Sequence, residues 1–150
     1  MPSEVVEFLQ KQDFMIVSTV DENGFPHTAC KGIVKIFSEG KVYLLDVYLK
    51  NTYANLKRNP NVGITAVDEH HFKGYCLQGK AKIHQAEKIS AELLRDWEAK
   101  VASRITQRLL KNIRDQKGHP AHPEAKLPKP EYMIEVDVDN IIDLTPQHLK

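Results

Sequence analysis

A lysine, an amide and a hydroxyl follow one another at the start of a predicted short helix, as Lys50, Asn51 and Thr52. The helix follows a predicted buried strand and ends at Asn59 and Pro60, because the residue before a proline is turned away from helical geometry. The first N–H groups of a helix have no partner within the helix, and the helix dipole favours an anion there. The three residues therefore predict a binding site for a phosphate group. Since Asn and Thr are also ordinary helix-capping residues, capping without any ligand is the alternative.

Cysteine and histidine side chains also stand at positions that could do chemistry. Cys30 could be a reactive thiol, but a buried cysteine usually behaves as a small apolar residue. His119 and His122 have a spacing that metal sites use, yet prolines hold them in an extended segment without a nearby acidic partner. His70 and His71 are expected in a solvated loop. We therefore predict no metal site.

A basic stripe lies on a predicted long helix further along the chain. It consists of Arg104, Arg108, Lys111 and Arg114. We interpret it as the solvated face of the helix, with nucleic-acid binding as the alternative. Trp97, on the same helix, is interpreted as a core residue and not as a platform for a cofactor.

The composition is typical of a small globular protein. The chain has 150 residues, of which 41% are hydrophobic and 27% charged, and its formal net charge is +1. This charge gives no general attraction to nucleic acid or to membranes. No apolar run approaches the roughly 18 residues of a membrane helix, and the N-terminus lacks a signal-peptide pattern. Because two isolated cysteines suit a reducing compartment, we expect one cytoplasmic domain over residues 1–150.

Short strands separated by turn signals must position the candidate residues. Ser3 is expected to cap a first helix. The continuous apolar run over residues 14–20 predicts a strand buried on both faces, and Asn23-Gly24 predicts a hairpin turn. Gly79 is expected at a bulge or a close backbone approach. The predicted strands, which together favour a small antiparallel barrel, cover residues 14–20, 27–37, 42–46, 62–67 and 75–83.

The second half of the chain is organised differently. Apolar residues at every fourth position predict a long amphipathic helix over residues 86–117, or two helices with a break near Ser103. This helix is longer than a small barrel needs, so its surplus apolar stripe could pack on a second subunit. Four prolines predict an extended linker over residues 118–130. The alternating pattern over residues 132–138 predicts a sixth strand that returns to the barrel.

The order of these elements resembles the pyridoxamine 5′-phosphate oxidase-like family of FMN-binding split barrels. The matching motifs are NGFPH at 23–27, GKVYL at 40–44, KNTYANL at 50–56, NPNV at 59–62 and QGKA at 78–81. The resemblance covers residues 14–84 well and the last strand loosely. It implies a mainly β fold of the α+β class: a six-stranded antiparallel split barrel with flanking helices, one of them the long helix over 86–117.

The resemblance implies that flavin mononucleotide (FMN) lies along the second strand. The ribityl chain and the ring edge would follow Cys30, Lys31, Gly32 and Ile33, where backbone groups commonly bond the ring. Cys30 stands where the family often has an arginine, and Lys35 matches a lysine five residues further on.

The resemblance also implies where the FMN phosphate binds. Leu45 and Asp46 match positions beside it, and the two basic residues with which the family grips it fall on Asn51 and Thr52. Thr52 matches the Lys-Thr pair of some small members, whereas Asn51 departs from that pair. A dianionic phosphate needs charge-assisted donors. The missing positive charge would therefore come from Lys50, Lys31 or Lys35.

A homodimer with the cofactor at the subunit interface is a further implication of the resemblance. Gly74 and Tyr75 match the position from which the second subunit reaches the cofactor. Two-fold symmetric dimers are also the commonest small soluble oligomers.

The leading functional hypothesis is a flavin-dependent oxidoreductase that acts on an unknown small substrate. The alternatives are a non-catalytic flavin binder or electron carrier, and a split barrel that binds haem or a deazaflavin. No residue in the sequence declares itself a catalytic acid or base. Oxidation of pyridoxamine phosphate is not expected, because the arginine-rich C-terminal segment of that enzyme has no counterpart and residues 139–144 are acidic.

Overall fold

Seven strands and three α-helices make up the computed structural model, which describes residues 1–12, 14–114 and 129–149. In chain order they are α1 Ser3–Gln10, β1 Met15–Val20, β2 Pro26–Lys31, β3 Ile33–Ile36, β4 Lys41–Asp46, α2 Asn51–Arg58, β5 Asn61–Asp68, β6 Lys73–Gln85, α3 Ala91–Ile113 and β7 Tyr132–Asp143. Short 3-10 turns lie at Ala86–Lys88 and Gln147–Leu149. The predicted mainly β, α+β class is confirmed.

The strands form one antiparallel sheet in the order β2-β1-β5-β6-β7-β4-β3. The edge strands β2 and β3 are joined by the single residue Gly32, so the sheet must curl until its two edges meet. This is the predicted split barrel. The strand count differs from the predicted six, because the stretch over residues 27–37 is two strands. Pairing with β1 ends at Lys31, and the chain then continues as β3 on β4.

β1 is buried on one face only, so the prediction of burial on both faces is wrong. Met15 and Val17 are buried, whereas Ile16 is 41% exposed. The pattern misled because the outward-facing side chains are apolar too. Directly paired residues share a face of a sheet. An open sheet face therefore runs across five adjacent strands through the uncharged row Cys30, Ile16, Thr65, Cys76 and Ile142.

The predicted hairpin turn between β1 and β2 is confirmed. Gly24 has a φ of +86°, a backbone conformation that glycine adopts without steric cost. The Asp21 carboxylate accepts hydrogen bonds from the backbone N–H groups of Asn23 at 2.8 Å and Phe25 at 2.9 Å. These bonds fix the turn that sends β2 back along β1.

The start of α1 differs from the prediction that Ser3 caps it. Pro2 occupies the N-cap position, and no side-chain hydrogen bond caps this helix among the described residues. The Pro2 carbonyl instead accepts from the N–H groups of Val5 at 3.1 Å and Val6 at 3.2 Å. The helix therefore begins one residue earlier than a serine cap requires.

Gly79 lies at a bulge, as predicted. The register between β6 and β7 shifts between Gln78 and Gly79. A Cβ atom on Gly79 would lie 2.1 Å from the carbonyl oxygen of Asp137, so only glycine fits this close backbone approach.

α3 is one continuous helix, so the alternative with a break near Ser103 is wrong. Ser90 caps it by accepting a hydrogen bond from the N–H of Leu93 at 3.2 Å. Residues 115–117 of the predicted helix and residues 118–128 of the predicted linker lie outside the described residues. None of the helices in the described part of the chain has the length and hydrophobicity needed to span a bilayer.

The C-terminal half of α3 has apolar surface to spare, as predicted. Val101 is buried, and side chains near the start of the helix pack in a cluster with Val34 and Leu45. Leu109, Leu110 and Ile113, by contrast, are 57%, 53% and 79% exposed.

Candidate functional site

A cleft of about 740 Å³ opens beside the edge strand β2. It is bordered by β2, by the end of β4 and the residues after it, by the start of α2 and by one face of α3. Its volume lies within the range of about 300–1,000 Å³ that is typical of cofactor sites. The predicted site residues that line it are Cys30, Lys31, Gly32, Leu45, Asp46, Lys50, Asn51 and Thr52.

β2 supplies one wall of the cleft through alternating side chains. His27, Ala29 and Lys31 point to the same side because a strand repeats every two residues, and all three line the cleft. Cys30 lies at the rim and is exposed. Its interpretation as a small buried apolar residue is therefore wrong.

The carboxylate of Asp46 is buried in the cleft wall and is hydrogen-bonded through both oxygens. Oδ2 accepts from the Tyr132 hydroxyl at 2.6 Å and pairs with the Lys31 ammonium group. Oδ1 accepts from the backbone N–H groups of Val47 at 2.8 Å and Tyr48 at 3.2 Å. Burial, and then the hydrogen bond to Asp46, raise the pKa of the Tyr132 hydroxyl above its ordinary range. Because Asp46 and Lys31 neutralise each other, Lys31 is not a spare cation for a phosphate.

The start of α2 opens directly on the cleft. The N-cap position is held by Lys50, and among the described residues no side chain caps this helix start, so the capping alternative for Asn51 and Thr52 is wrong. The first helical hydrogen bond runs from the Ala54 N–H to the Lys50 carbonyl at 3.0 Å. The N–H groups of the three preceding residues have no acceptor within the helix. Thr52 is 4% exposed and lines the cleft at this point.

Two side chains fix the orientation of α2 on β1. Asn55 is buried and donates a hydrogen bond to the Thr19 hydroxyl at 3.0 Å. Arg58 donates to the Val20 carbonyl at 2.9 Å. A buried, satisfied polar contact of this kind gives the helix start a defined position.

One face of α3 forms the opposite wall. Trp97, Arg104, Arg108 and Lys111 are spaced by seven, four and three residues, which one helix face brings together, and all four line the cleft. Arg104 and Arg108 are half-buried, so the interpretation of the basic stripe as a solvated face is wrong for these two, whereas Lys111 and Arg114 are exposed. Trp97 packs against the core cluster that contains Val34 and Leu45, as predicted, and it also borders the cleft. The spacing in the sequence shows that these cations share a helix face with Trp97, but it does not show what that face packs against.

Gly32 allows Arg104 to approach the backbone closely. A Cβ atom on Gly32 would lie 3.0 Å from Nη1 and 3.1 Å from Nη2 of Arg104. The guanidinium group therefore packs on the single residue that joins β2 to β3. This contact places a cation of α3 at the base of the cleft.

Two of the predicted site residues on β3 lie outside the cleft. Lys35 pairs with Glu92 at 2.5 Å and with Asp96 at 3.2 Å, and these ion pairs raise its pKa. This placement contradicts its predicted role as the source of phosphate-binding charge. Ile33 is buried in the main core, so its side chain does not face the cleft.

Gly74 and Tyr75 also lie away from the cleft of their own protomer. Tyr75 is buried, and its ring packs edge-to-face on Phe8 with the ring centroids 5.3 Å apart. A Cβ atom on Gly74 would lie 2.9 Å from the carbonyl oxygen of Ala66. Their predicted contact with the cofactor of a second subunit stays a prediction.

His70 and His71 do not line the cleft. His70 and His71 lie in the exposed loop between β5 and β6, where the His71 ring nitrogen Nδ1 is 2.8 Å from Asp68. His119 and His122 lie outside the described residues. Among the residues that the structure describes, no three His, Cys, Asp or Glu side chains are grouped to hold a metal ion.

Comparison with known proteins gives one family match and several similar folds. A family model described as pyridoxamine 5′-phosphate oxidase matches residues 1–143. No curated protein sequence matches the chain.

Among solved structures, HupZ of Group A Streptococcus is 19% identical with a TM-score of 0.64, over 97% of this chain and 94% of its own. A Clostridium acetobutylicum protein related to general stress protein 26 of B. subtilis, of the pyridoxinephosphate oxidase family, is 16% identical with a TM-score of 0.59, over 98% and 95%. A protein described as F420 reductase is 13% identical with a TM-score of 0.59, over 95% and 98%. At these identities the likeness shows a shared fold.

Proposed function

Because the chain belongs to the pyridoxamine 5′-phosphate oxidase family, we propose that it binds FMN in the cleft and acts as a flavin-dependent oxidoreductase. The observation that carries this proposal is the start of α2, which opens on the cleft beside Lys50 and the buried Thr52. Helix N–H groups and a lysine are the donors that a phosphate group takes in proteins.

The lining of the cleft fits the rest of the flavin. Phe14, Ala29, Leu45 and Trp97 offer apolar surface for a planar ring. The cations that border the cleft supply charge of the sign that a phosphate needs. The carboxylate of Asp46 would otherwise repel the phosphate, but its pairing with Lys31 removes that conflict.

Bound FMN would supply the electron-transfer chemistry, and the protein would supply position and electrostatics. The start of α2 would hold the phosphate, while the β2 and α3 walls would orient the ring and exclude water from it. A deazaflavin is the second candidate cofactor, because one protein of similar fold is described as F420 reductase.

The proposal includes a homodimer formed through the open sheet face. Its central row is uncharged, and Ile16 and Ile142 are 41% and 37% exposed. Neighbouring apolar side chains extend this surface, with Phe14 at 61% and Val67 at 57% exposed. Contiguous apolar surface of this kind is typical of protein interfaces.

The experiment that tests the proposal compares the affinities of the purified protein for FMN and for riboflavin, which lacks the phosphate. We expect FMN to bind more tightly by a factor of about 10–100, the range for charge-assisted hydrogen bonds. Lys50→Ala and Thr52→Ala should each lower this preference and leave riboflavin affinity nearly unchanged. Lys57→Ala, at the other end of the same helix, is the matched control and should keep the wild-type preference.

Equal affinities of the wild-type protein for FMN and riboflavin would contradict the phosphate site. The absorbance spectrum of the protein separates the remaining alternatives. Flavin absorbance bands that bleach when NAD(P)H is added support an oxidoreductase over a passive carrier. A Soret band would show that the bound cofactor is haem and not flavin.

A further inference from the structure

His27 lies in the wall of the cleft, but it has no role in the core or in the phosphate site described so far. It is half-buried and is the first of three β2 side chains, with Ala29 and Lys31, that line the cleft. Lys31 is bound to Asp46, and Ala29 carries no polar group. No hydrogen bond or ion pair within the described part of the chain engages the His27 imidazole. Its ring nitrogens are therefore available to a ligand in the cleft.

The sheet register places His27 on the side of the cleft where α2 begins. His27 is directly opposite Thr19 on β1, and directly paired residues share a face of a sheet. The Thr19 hydroxyl in turn accepts the hydrogen bond from Asn55 of α2 at 3.0 Å. Thr52 precedes Asn55 by three residues, so the two lie on one face of the helix about one turn apart. Because α2 also contacts β2 itself, His27 lies on the same side of the cleft as the first turn of α2.

The first turn of α2 contains a second polar group that points to a ligand. The Thr52 side chain is 4% exposed and lines the cleft, yet no hydrogen bond joins its hydroxyl to another described residue. Buried hydroxyl groups nearly always have a partner, because leaving one unsatisfied is costly. A phosphate oxygen at this helix start would accept from the hydroxyl and from the backbone N–H groups, and His27 would approach the same phosphate from β2.

We propose that His27 is a further contact for the phosphate group of the flavin and binds it as the protonated imidazolium. The inference rests on the proposed FMN site, because it names a further residue of that site. A hydrogen bond from a charged ring nitrogen to a phosphate oxygen is stronger than one from the neutral ring, and a nearby anion favours the protonated ring. The contribution of His27 to FMN affinity should therefore be present below neutral pH and lost above it.

His27 is the only histidine among the described residues that line the cleft, and histidine is the only side chain whose unperturbed titration lies between about pH 5 and pH 8. Lys31 and Asp46 are paired with each other, and the Asp21 carboxylate in the adjoining turn accepts from two backbone N–H groups. The β1 and α2 residues nearest in register, Thr19 and Asn55, are uncharged. Arg58, at the far end of α2, donates to the Val20 carbonyl. The other charged or titratable lining residues are Cys30, Tyr48, Lys50, Arg104, Arg108 and Lys111, of which Arg104 and Arg108 make interactions of their own.

The test compares the wild-type protein with His27→Gln, which keeps a neutral hydrogen-bonding side chain. Affinities for FMN and for riboflavin are measured by quenching of flavin fluorescence at about pH 6 and about pH 8, on either side of the ordinary histidine titration. We expect the preference for FMN to be about three- to fivefold larger in the wild type at the lower pH, the size of a partly exposed ion pair. At the higher pH the two proteins should show equal preferences. The phosphate itself titrates near pH 6, but it does so for both proteins, so its effect drops out of the comparison.

The matched control is His84→Gln. His84 is also half-buried, but it lies on β6 with Nε2 at 2.9 Å from the Glu135 carboxylate and does not line the cleft. This variant should keep the wild-type preference at both pH values. Riboflavin affinity should be nearly unchanged in both variants, which shows that the cleft is intact.

A second measurement uses the wild-type protein alone and decides the question even if His27→Gln fails to fold. The His27 ring signal is followed by NMR as the pH is raised, with the protein saturated by FMN or by riboflavin. The titration midpoint should lie higher with FMN, because the phosphate favours the protonated ring.

Equal midpoints with the two flavins would overturn the inference, as would an FMN preference at about pH 6 that His27→Gln retains in full. Both results leave the preference for FMN in place, so the proposed function stands. Absence of any FMN preference in the wild-type protein at either pH would overturn the phosphate site and this inference together.

Discussion

Asp46 and Lys31 form a buried ion pair whose side chains are 6% and 9% exposed. Removing water from two charges is costly, and a pair of this kind is favourable only when the remaining hydrogen-bonding groups are satisfied. The Tyr132 hydroxyl and two backbone N–H groups meet that requirement on the carboxylate side. The Lys31 ammonium group, by contrast, donates its hydrogen bond to the Asp46 carboxylate.

Replacing Asp46 by asparagine should therefore destabilise the protein more than replacing Lys31 by methionine. Asp46→Asn leaves a buried ammonium group without its counter-charge, and we expect a loss of about 3 kcal/mol in the free energy of unfolding. Lys31→Met leaves the carboxylate with its three other donors and should cost less. The double variant should be more stable than the sum of the single effects predicts, as measured by urea denaturation. Strict additivity would mean that the two groups do not interact energetically.

At the scale of residues, the sequence located the β2, β4 and α2 sides of the candidate site but not its α3 side. Lys50, Asn51 and Thr52 could be found because a helix start after a strand is a local pattern. The cations Arg104 and Arg108 could not be assigned to the cleft from composition, because a solvated stripe and a ligand-facing stripe have the same spacing. Which of the two forms depends on how α3 docks, and that is a property of the whole fold.

Strands β4 and β7 are held together by ion pairs as well as by backbone hydrogen bonds. Lys41 on β4 lies 2.8 Å from the Glu135 carboxylate and 2.6 Å from that of Asp137 on β7. The hydrogen bonds from Lys41 lower the pKa of both carboxyl groups, and the two carboxylates raise the pKa of Lys41. A carboxyl group whose pKa is lowered by folding stabilises the folded state at any pH above its ordinary pKa, which is 4.5 for Glu135 and 3.8 for Asp137. This stabilisation is lost as the pH falls through the lowered pKa of the folded state.

The stability of the wild-type protein should consequently fall between about pH 5 and pH 3 through these groups. In Lys41→Met both carboxyl groups should titrate nearer their ordinary values, so the fall over this range should be shallower. Lys82→Met is the matched control, because Lys82 is more exposed and lies 3.6 Å from Asp137. Urea midpoints over this pH range give the slopes. Identical slopes for the wild type and Lys41→Met would show that the contact does not form in solution.

At the scale of elements, the positions of the strands were predicted better than which of their faces are buried. Turn residues such as Gly24 mark where strands end, since they impose a backbone conformation that few other residues adopt. The division at Gly32 was missed because a lone glycine also fits a bulge within one continuous strand. The exposure of one face of β1 was missed because an exposed face made of apolar residues and a buried face have the same residue types.

The whole molecule is the scale at which the proposed homodimer is tested. Light scattering at micromolar concentration should give twice the 17.1 kDa mass of the chain. Ile16→Lys places a charge on β1 within the open sheet face, where burying it without a partner is costly, and should give monomers. Phe25→Lys changes a more exposed apolar residue in the hairpin turn and should leave the dimer intact. A wild-type monomer would remove the homodimer from the proposal.

β7 is made last among the strands, yet it lies between β6 and β4 in the sheet. During translation the chain leaves the ribosome from its N-terminus at about 5–20 residues per second. Until residues 132–143 emerge, the inner edges of β6 and β4 have unpaired backbone groups, which are a template for pairing with other chains. The nascent chain therefore cannot complete its sheet until β7 has been synthesised. A truncated product that ends before β7 would present both edges at once and would become a substrate for chaperones or aggregate.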